Sequence, residues 1–214
     1  LISRMAKYHC VPTESAKQNL AKEGIDTNVY VVGNTVVDTL KIVRSKLDAF
    51  SQDNNPYRSA LQQKGVSFEK DIVLVTLHRR ENFGARMRTC CDAILALARQ
   101  YSTFQFVVPV HANPAVQSTL REHLSNVPNI RLLDPLSYPH FIYLMYASRI
   151  VMTDSGGVQE EAPSFGKPVL VVRDVTERVE GIESGIAILA GCRKADIVTG
   201  FDRLLAITTP ITQN

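Results

Sequence analysis

Short runs of apolar, often β-branched residues recur along most of the chain, and polar segments separate them. Seven such runs predict strands: Asn28–Val32, Asp71–Leu77, Phe104–Val110, Asn129–Leu133, Arg149–Thr153, Pro168–Val172 and Gly185–Leu189. Several of these runs are apolar throughout instead of alternating with polar residues. This pattern is typical of strands that are buried on both faces of a parallel sheet.

Between these runs, apolar residues recur every three or four positions, which predicts helices. The repeating positions are Met87, Cys90, Cys91, Ile94, Leu97 and Ala98, then Val116, Leu120 and Leu124, then Phe141, Leu144 and Met145, and finally Val198, Phe201, Leu204 and Leu205. Strands that alternate with helices indicate an α/β protein with a parallel sheet. We therefore predict a three-layer α/β/α fold.

The first part of the chain has a different pattern. Ser15–Glu23 predicts a short helix that ends at Gly24, and a helix is expected from about Thr35 to Phe50. The polar stretch Ser51–Tyr57 contains Pro56, so we predict a loop there. Because the first residue is Leu1 and not Met, we expect the chain to be a fragment of a longer protein.

The patterns predict four segments along the chain. Residues 1–34 are expected to be the tail of a truncated neighbouring domain, 35–56 a hinge helix and linker, 57–207 one compact α/β domain, and 208–214 a C-terminal tail.

Composition excludes several classes of protein. Hydrophobic residues make up 45% and charged residues 21%, which excludes a disordered or collagen-like chain. The net charge of +3 is too balanced to indicate a nucleic-acid partner. No apolar run reaches the roughly 18–20 residues that a membrane span needs, and no secretory leader is recognisable. We therefore expect a cytoplasmic protein.

No metal or cofactor site is predicted. The four cysteines show no Cys-x-x-Cys pair, so we expect buried, reduced thiols, and the histidines lack His-x-x-x-His spacing. The Gly-x-Gly-x-x-Gly and Walker motifs are absent, as is the Gly-x-Ser-x-Gly elbow. A dinucleotide dehydrogenase, an NTPase and a hydrolase of that type therefore have no support.

Two unusual clusters follow strands that should be neighbours. In the common strand order 3-2-1-4-5-6, the first and fourth strands of the compact domain are adjacent, and ligands bind beyond their carboxyl ends. The first strand is followed by His78, Arg79 and Glu81, and the fourth by Asp154-Ser155-Gly156-Gly157. We therefore predict the ligand site at this crevice.

The second cluster suits a phosphate. Gly156 and Gly157 permit a tight turn, and a helix beginning in the segment Val158–Phe165 would direct free N–H groups and its positive dipole end at the crevice. Glu161, one turn further, could accept hydrogen bonds from ribose hydroxyls. The alternative is an ordinary strand-to-helix turn that is capped by Ser155.

The other candidate residues also have ordinary structural interpretations. His78, Arg79 and Glu81 mix a titratable imidazole with charges, as expected where anions bind or protons move, although a solvated charged loop is the alternative. Arg178 could pair with a phosphate through its planar guanidinium, or belong to a surface ion pair. For Phe141 a position in the helix core is the favoured alternative. His111 has a loop or cap position as its alternative.

Four motifs together are specific for a known family. They are Thr76–Asn82 (TLHRREN), Pro109–Pro114 (PVHANP), Thr153–Pro163 (TDSGGVQEEAP) and Arg173–Arg178 (RDVTER). With Pro12–Glu14 and Val32–Asp38, they resemble the non-hydrolysing UDP-N-acetylglucosamine 2-epimerases, from residue 1 to about residue 205.

The resemblance implies a fold and a set of roles. The family has a glycosyltransferase-B-like fold of two Rossmann-like domains, of which the second holds UDP. By resemblance, Ser155, Gly156 and Gly157 bind the diphosphate and Glu161 the ribose. UDP binding also involves Arg178 and the backbone around Phe141, and His78 is the catalytic-site histidine. The positions of Arg79, Glu81 and His111 lie near the cleft, where a second UDP-N-acetylglucosamine activates some bacterial members.

The resemblance also implies a reaction. The family equilibrates UDP-N-acetylglucosamine with UDP-N-acetylmannosamine by eliminating UDP and adding it back on the other face, in cell-envelope polysaccharide biosynthesis. The acidic residues assigned to proton transfer at sugar C2 lie before the part matched here. We therefore expect the UDP-binding fragment of an isomerase, inactive alone and a homodimer when intact. No nucleic acid or membrane partner is expected. Departures from the family occur at Leu136, Val179 and Ile186.

Three alternatives remain open. A hydrolysing epimerase would release N-acetylmannosamine and UDP. A nucleotide-sugar glycosyltransferase of similar fold would transfer the sugar to an acceptor. A non-catalytic module would bind the nucleotide-sugar only.

Overall fold

The structure is a computed structural model that describes residues 2–50 and 54–208. It divides into two compact units, residues 1–43 and 44–214. This division places the start of the long helix α3 (Thr35–Asp48) in the first unit and its end in the second.

The first unit contains a small parallel sheet. Its elements are α1 (Ile2–Met5), β1 (His9–Val11), α2 (Glu14–Lys22), β2 (Val29–Val31) and the start of α3. Strands β1 and β2 pair in parallel with His9 opposite Val29. The side chain of Thr13 accepts a hydrogen bond from the Ala16 N–H at 3.2 Å and so begins α2. Gly24 follows the helix at φ +76°, as predicted for its C-terminal end.

One strand of this part was missed, and one prediction is wrong. No strand was predicted at β1, because three residues are too few for a recognisable pattern. The thiol of Cys10 is exposed instead of buried, since the two-stranded sheet leaves that face of β1 uncovered. The other three cysteines are buried, as expected.

The predicted loop Ser51–Tyr57 is wrong over its last two residues, and the helix that follows was not predicted. Helix α4 begins at Pro56 and runs to Gln63, whereas residues 51–53 lie outside the described part. The Asn55 side chain accepts hydrogen bonds from the N–H groups of Tyr57 and Arg58, at 3.0 and 3.2 Å. Pro56 is tolerated because the first helical residue needs no N–H partner.

The second unit is built on a six-stranded parallel sheet. The strands are β3 (Asp71–Thr76), β4 (Phe104–Pro109), β5 (Ile130–Leu133), β6 (Ile150–Thr153), β7 (Val169–Val171) and β8 (Ala187–Leu189). Their order is β5-β4-β3-β6-β7-β8, which confirms the predicted order and makes β3 and β6 neighbours. Val73 pairs with Ile150, and Thr76 pairs with Thr153.

Helices cover the sheet and enclose its core. After α4 they are α5 (Ala85–Gln100), α6 (Pro114–Leu124), α7 (Tyr138–Ala147), α8 (Gly156–Ser164), α9 (Val179–Glu183) and α10 (Lys194–Thr208). Residues of α5, α6 and α10 share one apolar cluster with Val73 and Val75 of β3. Ile72 and Leu74, which alternate with these two valines along the strand, are buried as well. The predicted α/β/α arrangement is therefore confirmed. Within the part of the chain described, no helix has the length and apolar character that crossing a membrane would require.

Candidate functional site

The carboxyl ends of β3 and β6 meet at the predicted crevice. Thr76 and Thr153 end the two strands side by side, and their hydroxyl oxygens lie 2.6 Å apart in a buried hydrogen bond. After β3 the polypeptide enters a loop with a 3₁₀ turn at Arg80–Asn82, and after β6 it enters α8. Both sequence clusters therefore emerge from the same point of the sheet.

A buried carboxylate joins these two segments. Asp154 has no exposed surface, and its oxygens accept the N–H of His78 at 3.1 Å and the N–H of Arg79 at 2.9 Å. The Asn82 side-chain amide donates to the same carboxylate at 2.9 Å. A buried charge is stable only when it is well hydrogen-bonded, and these donors satisfy that condition.

His78 lies between this carboxylate and a second histidine. Its Nδ1 is 3.7 Å from Asp154 Oδ1, and its ring stacks on that of His111 with centroids 5.3 Å apart. Burial is the main cause that lowers the pKa of His78; His111 and Arg79 lower it further, and Asp154 opposes them. The ligand-free imidazole is therefore mainly neutral near pH 7, and a bound anion would favour its protonated form. His111 itself is exposed and accepts the Asn113 N–H at 3.1 Å.

The beginning of α8 is prepared for an anion. The helix begins at Gly156, two residues earlier than predicted, and continues through Pro163 to Ser164. Ser155 stands at the N-cap position, but its side chain makes no capping hydrogen bond, so the ordinary capped turn is not formed. The first N–H groups of a helix have no acceptor within it. Those of Gly156 and Gly157 therefore face the crevice without a helical partner.

Two arginines from different loops converge on this helix end. A Cβ placed on Gly156 would lie 3.2 Å from Arg79 Nη2 and 3.5 Å from Arg178 Cζ. Arg79 comes from the loop after β3, and Arg178 from the loop after β7. Two guanidinium groups and a helix N-terminus, each able to donate hydrogen bonds to an oxyanion, therefore meet at one point. The arrangement suits a phosphate or diphosphate.

Ion pairs hold Arg178 in this position. Its Nε donates to Glu160 Oε1 at 2.7 Å and its Nη1 to Glu177 Oε2 at 3.2 Å. The buried Arg173 donates to Glu177 at 3.1 Å and to Glu81 at 3.1 Å. The hydrogen bond from Arg173 is the main cause that lowers the pKa of Glu177 to about 2. Glu81 therefore lies at the edge of the site and pairs with Arg173.

The remaining predicted residues lie toward α7. The Tyr138 hydroxyl donates to Glu161 Oε1 at 3.2 Å, which links the start of α7 to α8. Burial raises the pKa of Glu161, and burial together with Glu161 raises that of Tyr138 to about 12. Phe141 is half-buried in α7, where its N–H donates to Ser137 O at 3.0 Å. That amide is therefore already used within the helix.

Sequence reasoning missed the polar residues that support the site. Asp154 and Arg173 are buried within two residues of a strand end, and Asn82 is buried in the 3₁₀ turn after β3. A polar residue close after a strand was the available signal for the first two. Gln159 and Thr176 are also buried and bond to each other, Oγ1 to Oε1, at 2.6 Å. Gln159 Nε2 in turn donates to the Ser155 carbonyl at 3.2 Å, which anchors the turn before α8.

Known proteins resemble this chain along nearly all of its length. The family model described as UDP-N-acetylglucosamine 2-epimerase matches residues 1–213. A UDP-N-acetylglucosamine 2-epimerase of Salmonella borreze is 47% identical over 194 residues, which cover 90% of this chain and 51% of the relative. One of Escherichia coli K12 is 42% identical over 206 residues, which cover 96% of this chain and 54% of the relative.

Solved structures give the same result. The UDP-GlcNAc 2-epimerase of Neisseria meningitidis, bound to UDP-GlcNAc, superposes with a TM-score of 0.85 at 40% identity, over 95% of this chain and 54% of that one. The Methanocaldococcus jannaschii enzyme, in complex with UDP-GlcNAc and UDP, has a TM-score of 0.81 at 30% identity, over 94% and 55%. The chain thus spans about half the length of the relatives that it matches.

Proposed function

The chain belongs to the UDP-N-acetylglucosamine 2-epimerase family, and from this we propose that its six-stranded unit is the UDP-binding half of such an isomerase. The observation that carries the proposal is the convergence of Arg79 and Arg178 on Gly156 at the start of α8. Three sources of positive potential at one point are suited to the two negative phosphates of UDP.

We assign each part of the nucleotide to a part of the site. The diphosphate lies against the N–H groups of Gly156 and Gly157, next to the Ser155 hydroxyl and the guanidinium of Arg178. The ribose hydroxyls donate to the Glu161 carboxylate, which Tyr138 holds at 3.2 Å. The backbone around Phe141 completes the contacts with the nucleoside.

The site then stabilises UDP as a leaving group. Elimination breaks the bond between sugar C1 and the diphosphate oxygen, and negative charge builds up on that oxygen. Arg178 and the helix N-terminus stabilise this charge without rearranging, which is the electrostatic part of catalysis. His78 gains a proton more readily beside a bound diphosphate and donates a hydrogen bond to it. Proton transfer at sugar C2 belongs to carboxylates of the complete enzyme outside this half.

Calorimetric titration of the chain with UDP tests the binding assignment. We expect binding that weakens about 10- to 100-fold in Arg178→Ala, the size of losing one charge-assisted contact. Arg121→Ala is the matched control, because it removes the same charge from an exposed ion pair with Asp134 and should leave the affinity unchanged. Equal affinities in the Arg178→Ala and unchanged chains would contradict the assignment.

Activity measurements separate this proposal from its rivals. We expect no epimerase turnover from the 214-residue chain, and turnover by it would contradict that expectation. For the complete enzyme, we expect UDP-N-acetylmannosamine as the product. Free N-acetylmannosamine would indicate a hydrolysing epimerase, and transfer to an acceptor would indicate a glycosyltransferase. Loss of all turnover in His78→Ala with UDP binding retained would exclude a non-catalytic module.

The proposal includes an organisation for the complete protein. Residues 1–34 complete a preceding Rossmann-like domain, 35–56 form the hinge and linker, and 57–207 form the UDP-binding domain. The predicted C-terminal tail 208–214 lies, after Thr208, outside the described residues. The complete enzyme is a cytoplasmic homodimer that serves cell-envelope polysaccharide biosynthesis. Arg79, which also faces the diphosphate-binding turn, lies with Glu81 and His111 near the cleft where an activator would bind. The family resemblance supports these points, and the balanced net charge of +3 fits the absence of a nucleic-acid partner.

A further inference from the structure

Asp154 differs from every other carboxylate in the described part of the chain. Among residues 2–50 and 54–208, it is the only Asp or Glu that is buried. A fully buried carboxylate is costly to desolvate, and it is retained only where strong hydrogen bonds compensate. Its donors all come from the segment after β3, far from it in sequence.

We propose that Asp154, oriented by Asn82, is a positioning residue that holds His78 and Arg79 in place against the diphosphate-binding turn. The inference rests on the proposed function, because the ligand of that turn is taken to be UDP. Asp154 and Asn82 themselves are not expected to touch the nucleotide. Asp154 acts through the main chain of the two residues that face the ligand.

The geometry makes this single side chain the link between the two segments. Asp154 directly precedes Ser155, so its backbone is continuous with the turn that begins α8. Its carboxylate accepts hydrogen bonds from the backbone N–H groups of His78 and Arg79, at 3.1 and 2.9 Å. The main chain from which the Arg79 side chain reaches the Gly156 turn is therefore anchored through this carboxylate.

Asn82 gives this carboxylate a defined orientation. Its side-chain N–H donates to Asp154 Oδ2 at 2.9 Å and also approaches Val172 O at 3.4 Å. Its Oδ1 faces Cys192 Sγ at 3.4 Å, and Asn82 itself has no exposed surface. Each side of the amide thus has a partner, which leaves little freedom to rotate.

The carboxylate also acts on the charge state of His78. The charged or titratable groups that face the imidazole are Asp154 from the turn after β6, His111 from the loop after β4, and Arg79 beside it. Asp154 is the only one of the three that favours the imidazolium.

Asp154→Asn in the 214-residue chain tests the inference, with Asp71→Asn as the matched control. Asp71 belongs to the same strand pair, but it is half-exposed and pairs with Arg149 at the opposite end. By NMR of the ligand-free chains, we expect His78 to titrate at lower pH in Asp154→Asn and the His78 and Arg79 amide signals to move. By calorimetry, we expect UDP affinity to fall about tenfold. The control should change neither.

The outcomes are distinguishable from failure of the proposed function. If the unchanged chain does not bind UDP, the proposed function fails, whereas the ligand-free titration of His78 still judges the inference. An Asp154→Asn chain with the His78 titration and amide signals of the control would overturn it. Should that variant not fold, Asn82→Ser decides, because it removes one donor and leaves the carboxylate. Unmoved His78 and Arg79 amides in that folded variant would overturn the inference as well.

Discussion

The neighbouring strands β3 and β6 carry a carboxylate at each end, and the two ends are built differently. At the amino end, Asp71 pairs with Arg149, and the exposed fractions of the side chains are 47% and 30%. At the carboxyl end, Asp154 has no exposed surface and accepts hydrogen bonds from two main-chain N–H groups and one amide. Water solvates the first carboxylate, whereas the protein alone solvates the second.

The difference shows where the fold has placed its costly interactions. An exposed ion pair is weak, because water and salt compete with it. A buried carboxylate is stabilising only with all its hydrogen bonds in place, since each donor without an acceptor carries a penalty. The buried carboxylate lies at the end where Arg79 and Arg178 face Gly156, and the exposed ion pair lies at the opposite end.

The largest expected effect comes from removing each of the two carboxylates in turn. Asp154→Ala should lower the free energy of unfolding by about 3–5 kcal/mol, because one buried and two partly buried donors lose their acceptor. Asp71→Ala should lower it by less than about 1 kcal/mol, and raised salt should reduce that difference further. Urea unfolding at two salt concentrations measures both. Similar losses in the two variants would remove the distinction between the ends.

A smaller effect is expected from one methyl group at the carboxyl end. Gly156→Ala places its Cβ 3.2 Å from Arg79 Nη2, so the guanidinium must shift and the space for an oxyanion is reduced. We expect UDP affinity to fall about tenfold, with a free energy of unfolding within about 1 kcal/mol of the unchanged chain. Gly181→Ala adds the same methyl in α9 and serves as the control. Unweakened binding in Gly156→Ala would place the phosphate elsewhere.

The smallest expected effect concerns acid pH. Hydrogen bonding to Arg173 lowers the pKa of Glu177 from 4.5 to about 2. A lowered carboxyl pKa stabilises the fold above pH 4.5, and this contribution is lost as the pH falls toward 2. Because the Glu177 side chain is 59% exposed, the contribution is small.

Urea unfolding at several pH values checks this expectation in Glu177→Gln. The stability difference between this variant and the unchanged chain should shrink as the pH falls from 5 toward 2. A difference that stays constant over this range would show that the ion pairs around Arg173 do not depend on the charge of Glu177.

Local patterns were enough to predict most of the sheet. The apolar runs at Asp71–Leu77 and Arg149–Thr153 predicted β3 and β6 within a residue or two, because strands buried on both faces leave a strong signal. Strand β1 was missed because it is short. Helix α4 was not predicted at all, because Pro56 was assigned to a loop, whereas it is the first helical residue.

Predicting the candidate site depended on where residues lie relative to strand ends. His78 and Ser155–Gly157 follow strands that meet at the switch point, so their proximity could be predicted. Phe141 was included by family resemblance alone, and the structure gives its N–H a partner within α7. Asp154 was quoted within its motif but was not recognised as a site residue, since nothing near it in sequence identifies its partners.

The sequence by itself determined the alternation of strands and helices, the parallel sheet, and the glycines at the start of α8, because each depends on neighbouring residues. Only the tertiary structure decided that Arg79 and Arg178 face Gly156 together, and that Asp154 accepts hydrogen bonds from the loop after β3. These contacts join residues that are far apart in the chain. They exist because β3, β6 and β7 end side by side at one edge of the sheet.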